Sequence, residues 1–90
     1  MRVDRAKSYR KEFAKLPIKD QFAAERTIIL FTTNPFADQL RNHALNGPLA
    51  GLRSIDAKGD LRILFTEDSH GRYELVTLLR VGSHAKLYKQ

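Results

Sequence analysis

Two histidines, His43 and His84, stand out among the arginines and carboxylates of this chain. Histidine titrates near neutral pH and can move protons, and guanidinium groups grip phosphates through their fork of donors. Together they fit cleavage of RNA without a metal, a reaction that needs a base, an acid and a support for charge on phosphorus. Arg53 and Arg80 fall in segments that read as strands, where two guanidinium groups could hold one phosphate from adjacent strands. Asp56 and Asp60 flank the Lys58-Gly59 turn, and either could orient an imidazole or take the proton of a 2'-hydroxyl. Tyr88 could stack on a base. Residue types alone do not separate these roles from plainer ones. Exposed loop histidines, arginines snorkelling from a sheet edge, turn carboxylates and a tyrosine packed on the sheet read the same way. His70, beside Gly71 in an outer turn, carries no role. No two histidines have the close spacing of a zinc motif, so no metal is expected.

Ninety residues make one domain, 1–90, with a single modest core. A hydrophobic fraction of 42% and a charged fraction of 29% belong to an ordinary globule rather than a disordered tail. No apolar run approaches the roughly 20 residues of a membrane helix, and the first residues lack the apolar segment of a signal peptide. The expected location is therefore the cytoplasm, with no membrane contact. The chain has no cysteine, which removes disulfides and thiolate metal sites. A net charge of +6 points to an anionic partner, and nucleic acid or an acidic protein would serve equally.

The elements that must position these groups follow from periodicity. Ala6, Tyr9, Phe13 and Leu16 recur at steps of three and four, one stripe of a helix, and Pro17 ends that helix or opens the next. From about Lys19 to Thr33 a second helix is expected, with Phe22, Ala23, Arg26, Ile29 and Leu30 on its inner stripe. Asn34-Pro35 stops it. An irregular or partly helical connection then runs to Pro48, anchored by Phe36, Leu40 and Leu45. Strands are expected at about Leu52–Ala57, Asp60–Thr66 and Tyr73–Val81. The last is the longest, nearly continuously apolar, and so expected to be central and covered on both faces. A further short strand near Arg2–Arg5 is weakly marked. The fold class is α+β: two N-terminal helices, forming an antiparallel pair, packed on a small, mostly antiparallel sheet.

In their order along the chain, four segments resemble the RelE/YafQ superfamily of bacterial toxins, in its YafQ-like branch. They are Leu40-Arg41-Asn42-His43-Ala44-Leu45-Asn46-Gly47, Gly51-Leu52-Arg53-Ser54-Ile55-Asp56, Gly59-Asp60-Leu61-Arg62 and Arg80-Val81-Gly82-Ser83-His84-Ala85-Lys86-Leu87-Tyr88. The Gly-Ser-His-x-x-Leu-aromatic ending is the most specific, and the likeness spans about Phe13 to Tyr88. The resemblance implies a curved sheet and the toxin of a type II toxin–antitoxin system. It also implies a ribosome-dependent, metal-independent endoribonuclease that uses no cofactor. Its partners would be mRNA on the ribosome and a cognate antitoxin, with which it would form a hetero-oligomer. By position, His43 matches a catalytic histidine, Asp60 a catalytic aspartate, Arg80 a phosphate-binding arginine and His84 a candidate general acid. Tyr88 matches an aromatic residue that supports substrate placement. Arg53 and Lys86 join Arg80 and Tyr88 among the expected substrate-binding groups.

Two positions depart from the YafQ pattern. Asp56 stands where a further histidine is common, and Leu61 where an aromatic residue often follows the aspartate. Codon preference is therefore not carried over. Two other readings share the fold: a ParE-like toxin that binds DNA gyrase without cleaving RNA, and a decayed family member without activity. The paired histidines argue against the first, whereas Asp56 and Leu61 keep the second open.

Overall fold

In chain order, the computed structural model, which describes residues 1–88, runs β1 (Arg2–Arg5), α1 (Lys7–Ala14), α2 (Ile18–Thr33), β2 (His43–Ala44), β3 (Arg53–Lys58), β4 (Leu61–Glu67), β5 (Leu75–Ser83) and α3 (His84–Leu87). Two 3₁₀ turns, Asp38–Leu40 and Gly47–Leu49, flank β2. The five strands form one open sheet in the order β1-β5-β4-β3-β2. β1 runs parallel to β5, and every other neighbouring pair is antiparallel. The expected α+β architecture is the observed one, with a short third helix added at the end of β5.

Local chemistry sets the element ends. Pro17 caps α2 with its fixed φ of −54°, and the residues at Asn34-Pro35 leave helical geometry. Gly59 takes a φ of +49° in the turn between β3 and β4, a left-handed conformation in which a side chain would be strained. α1 and α2 lie antiparallel. The Gln21 amide near the start of α2 donates to the carbonyls of Phe13 and Leu16, while Glu25, one turn on, meets Arg5 at the end of β1, just before α1.

Both helices cover one face of the sheet. Tyr9, Ala23, Ala24, Ile28 and Phe31 pack with Ile55, Ile63, Phe65, Val76, Leu78 and Val81 in one buried cluster. Burial, with the Glu25 carboxylate nearby, pushes the Tyr9 hydroxyl up to about 12, against a smaller opposite pull from Arg5. A smaller cluster of Leu45, Leu64 and Leu87 occupies the other face.

Four expectations need correction. The inner stripe of α2 is Ala23, Ala24, Thr27, Ile28 and Phe31, and Phe22, Arg26 and Ile29 point outward. The two alanines let the helix approach β3 closely, which larger side chains at those positions would prevent. β5 is flanked on both sides but is not the middle strand, and Leu75, Thr77 and Leu79 are only half-buried. The middle strand is β4, where Ile63, Leu64 and Phe65 are all fully buried. Phe36 anchors little: it is largely exposed and meets Tyr73 edge-on. His43 lies on the edge strand β2 rather than in a loop, opposite Ser54 of β3.

β1 stops opposite Leu78 and leaves the rest of the β5 edge unpaired. The start of α1 completes it. The Ala6 N–H donates to the Leu78 carbonyl at 2.8 Å, and the Ser8 hydroxyl to that of Leu79 at 2.6 Å. The Glu12 carboxylate accepts the Val81 N–H at 3.2 Å and a two-pronged pair of bonds from Arg80 at 2.9 and 2.8 Å. Burial by itself would raise the Glu12 carboxyl. The bonds from Arg80 and Val81, with the charges of Arg80 and Lys86, outweigh that and hold it below its ordinary 4.5.

Because the folded value is depressed, Glu12 stabilises the fold fully above the ordinary carboxylate range and loses that effect as pH falls through the folded value. Glu12→Ala should therefore cost about 2 kcal/mol near neutral pH, the scale of charged hydrogen bonds. Denaturant titrations should show the gap from wild type shrinking on acidification below 4.5. A gap of constant size would remove this clamp from the account.

Candidate active site

Side chains alternate across β3 and β4. Ile55 and Ile63 belong to the cluster under the helices, so Asp56 and Arg62, each one residue away and paired in register, face the opposite side. There the Asp56 carboxylate is shared between two guanidinium groups, meeting Arg62 Nε at 3.0 Å and Arg41 Nε at 2.6 Å. Asp56 and Arg62 retain only 14% and 11% of their side-chain exposure, while Arg41 reaches solvent. One carboxylate thus fixes two arginines side by side, with one positive charge in excess.

A cleft of about 510 Å³ opens over this trio, lined by Arg41, Asn42, His43, Asp56, Arg62, His84 and Tyr88. Arg41 closes the Asp38–Leu40 turn with a φ of 46°, an uncommon left-handed conformation for a residue with a side chain. The next two residues then fall along the cleft. His43 Nδ1 lies 2.7 Å from the Arg41 carbonyl. A carbonyl only accepts, so Nδ1 carries the hydrogen, and the Nε2 of the neutral ring keeps a free lone pair.

Asn42 ties this segment to the core. Its amide donates to the Pro35 carbonyl at 3.0 Å and the Tyr73 hydroxyl at 3.1 Å, and its oxygen accepts from Arg53 Nε at 2.9 Å. The Tyr73 ring in turn meets Phe31, Phe36 and Phe65 edge-on. A run of contacts therefore links the aromatic core to the cleft wall. The preceding turn is fastened by Glu67, which accepts from the Ser69 hydroxyl and from the backbone N–H groups of Ser69, Gly71 and Tyr73. The Ser69 bond is the foremost cause holding this carboxyl below its ordinary range, and the backbone bonds add to it.

The far wall is α3. Ser83 caps this helix by accepting the Lys86 N–H at 3.1 Å, and the His84 N–H donates to the Asp60 carbonyl at 2.8 Å. Leu87 seats the helix over Gly82, where an added Cβ would stand 3.4 Å from its methyl group. The His84 and Tyr88 rings stack with centroids 4.2 Å apart and planes within 12°.

Of the residues singled out in the sequence, His43, Asp56, His84 and Tyr88 come together in the cleft. Asp60 has an exposed side chain and reaches the site through its carbonyl. Arg53 stands behind Asn42. Arg80 lies on β5, separated from Arg53 on β3 by β4, and its guanidinium is bound to Glu12. Lys86 is exposed on α3. Arg41, Asn42 and Arg62 line the cleft without having been singled out. Counting through the Lys58-Gly59 turn would miss Arg62, because Lys58 pairs with Leu61 and only a bulge at Ala57 makes Arg62 the cross-strand partner of Asp56. Among the described residues, no group of three or more histidines or carboxylates is placed to hold a metal ion.

Removing the Asn42 side chain should loosen the histidine-bearing segment while sparing the core. In Asn42→Ala, loss of three hydrogen bonds should cost about 2 kcal/mol. Amide exchange should speed up at His43 and Ala44 while the β4–β5 amides keep their protection. Uniform acceleration across the sheet would show that Asn42 supports the fold at large.

No family model and no curated protein sequence matches the chain. Solved structures do. A copper-bound mutant toxin from Helicobacter pylori superposes with a TM-score of 0.76 at 26% identity, over 98% of this chain and 99% of that one. YafQ from E. coli gives a TM-score of 0.76 at 20% identity, over 97% of each chain. The E. coli DinJ-YafQ toxin-antitoxin complex gives 0.67 at 22% identity, over 97% of this chain and 96% of that one. The likeness read from four sequence segments thus extends to the whole backbone, and this chain has the fold of the RelE/YafQ toxin superfamily.

Proposed function

We propose that this chain is the toxin of a toxin–antitoxin pair and acts as a metal-independent endoribonuclease on mRNA at the ribosome. One observation carries the reading: two proton carriers, His43 and His84, share a cleft with two arginines held by one carboxylate. Ribosome dependence rests on the resemblance alone. The DinJ-YafQ neighbour is a toxin–antitoxin complex, which supports a cognate antitoxin here and a hetero-oligomer with it.

In the proposed reaction, Nε2 of neutral His43 takes the proton of an RNA 2'-hydroxyl. The 2'-oxygen attacks the adjacent phosphorus, and the bond from phosphorus to the 5'-oxygen breaks. Protonated His84 delivers its proton to that leaving oxygen. The products are a 2',3'-cyclic phosphate and a 5'-hydroxyl. Arg41 and Arg62 offset the charge that grows on the phosphoryl oxygens. Asp56 is a positioning residue, because both its oxygens are engaged by those arginines. Tyr88 orients the His84 ring by stacking, Asp60 fixes the His84 backbone, and Arg53 acts through Asn42. Arg80 lies outside the cleft with its charge met by Glu12, and Lys86, also outside it, adds positive charge for binding RNA.

Induction in a bacterial host without antitoxin, with mapping of mRNA 5' ends, tests this reading. Wild type should arrest growth and produce new 5'-hydroxyl ends within translated codons. His43→Ala and His84→Ala should each lower cleavage on the order of 100-fold or more. Growth arrest with intact mRNA would move the case to another target such as gyrase. A folded protein with no effect on growth would mark a decayed member.

A further inference from the structure

On the helix-covered side of the sheet, away from the cleft, a cavity of about 260 Å³ is lined by Arg5, Tyr9, Arg10, Phe13 and Glu25. Two of its polar features are left incomplete. The Tyr9 hydroxyl is buried and finds no hydrogen-bond partner among the described residues, although buried hydroxyls are normally bonded. The charges that act on it belong to Glu25 and Arg5, which places the oxygen at their end of the cavity. Glu25 and Arg5 themselves stand 3.5 Å apart, the widest ion pair among the described residues and beyond ordinary hydrogen-bond length. Each therefore keeps hydrogen-bonding capacity for a third group.

The walls narrow what that group is. Guanidinium groups only donate and a carboxylate only accepts. Arg5 and Arg10 would repel a metal ion, and Glu25 would repel an inorganic or carboxylate anion. A neutral ligand that offers an acceptor beside donors meets no such penalty. The Tyr9 and Phe13 rings lie within 26° of parallel with centroids 6.0 Å apart, and the half-buried Phe13 gives a flat ligand a face to stack on. The volume falls just under the range of pockets for drug-sized ligands, about 300–1,000 Å³, which suits one heterocycle and excludes a helix.

We propose that this cavity binds a guanine base, either of a free nucleotide or of a nucleic-acid strand. The pairing edge of guanine presents the O6 acceptor followed by the N1–H and N2–H donors. Arg5 donates to O6, and the two oxygens of Glu25 take the two N–H groups. The Tyr9 hydroxyl donates to N3, next along the same side of the base. No other base sets two donors beside one acceptor: adenine, cytosine and uracil each satisfy Arg5 and only one oxygen of Glu25. Arg10 donates through Nε to the Arg5 carbonyl at 3.1 Å, and its terminal nitrogens are left for a phosphate outside the cavity. None of these residues lines the cleft, so the inference is independent of the reaction proposed above.

The test is titration of the full chain with guanosine, which carries no phosphate to draw it to the cleft, followed by NMR. Signals of Phe13 and Glu25 should move together on one saturating curve while His43 and His84 stay still. Inosine, which lacks the N2 amino group, should bind several-fold more weakly, and adenosine, cytidine and uridine roughly tenfold or more. Glu25→Gln, at an exposed position, should keep the fold and weaken guanosine roughly tenfold or more, because an amide accepts at one end only. Tyr9→Phe should leave the unfolding midpoint no lower than wild type and weaken guanosine several-fold. Guanosine monophosphate and a DNA heptamer with one guanine among thymines separate the two sources. Tighter binding of the monophosphate assigns a free nucleotide, and tighter binding of the heptamer a strand. No binding at millimolar guanosine, equal binding of adenosine, or unchanged affinity in Glu25→Gln or Tyr9→Phe overturns the proposal. So do shifts confined to His43 and His84, which would assign the base to the cleft.

Discussion

Two guanidinium groups repel one another, and a protein that sets them side by side needs a carboxylate between them. Asp56 fills that place, with one oxygen on Arg62 and the other on Arg41. Its position follows from the hairpin of β3 and β4, whose register puts Asp56 opposite Arg62 on the face turned away from the helices. Arg41 then draws the connection from α2 across that face. The left-handed turn at Arg41 and the hydrogen bond from His43 to the Arg41 carbonyl give the imidazole its place and its tautomer. A single ion-paired carboxylate therefore organises the arginines directly and one histidine at second hand.

The rest of the molecule keeps this arrangement from collapsing or drifting. The helices seal the opposite face, so the cleft face can remain polar without costing the domain its core. Asn42 fixes the connection to the Tyr73 hydroxyl and the Pro35 carbonyl, and Leu87 pins α3 so that His84 faces the cleft. Arg80 serves differently. Glu12 binds it together with the free edge of β5, so this arginine joins the first helix to the sheet just where β1 has run out. Two clusters of ion-paired side chains thus divide the work, one closing the sheet edge and the other arranging the cleft.

Much of this was legible in the sequence, for identifiable reasons. The β3–β4 hairpin could be placed because Lys58-Gly59 marks its turn and Leu61, Ile63 and Phe65 alternate. The helices could be placed because Pro17 and Asn34-Pro35 bound them. The inward face of α2 is ambiguous in the sequence because Ile28-Ile29-Leu30-Phe31 is apolar without a break and fits more than one helical phase. Only the close approach to the sheet selects the phase with Ala23 and Ala24 inside. His43, Asp56, His84 and Tyr88 could be singled out from residue type and from resemblance. Arg41 could not, because its role depends on the path of an irregular connection, and the clamp between Arg80 and Glu12 spans 68 residues with no local signal.

The central claim is that a phosphate sits between the two histidines on the arginines held by Asp56. Titration of the chain with a 3'-phosphorylated mononucleotide, followed by NMR at the histidine rings, tests it most directly. Both His43 and His84 should shift along one saturating curve while His70 stays still, and Arg62→Ala should weaken binding by roughly tenfold or more. Shifts centred on Arg80 and Glu12, with His43 and His84 unmoved and Arg62→Ala binding as wild type does, would contradict the account.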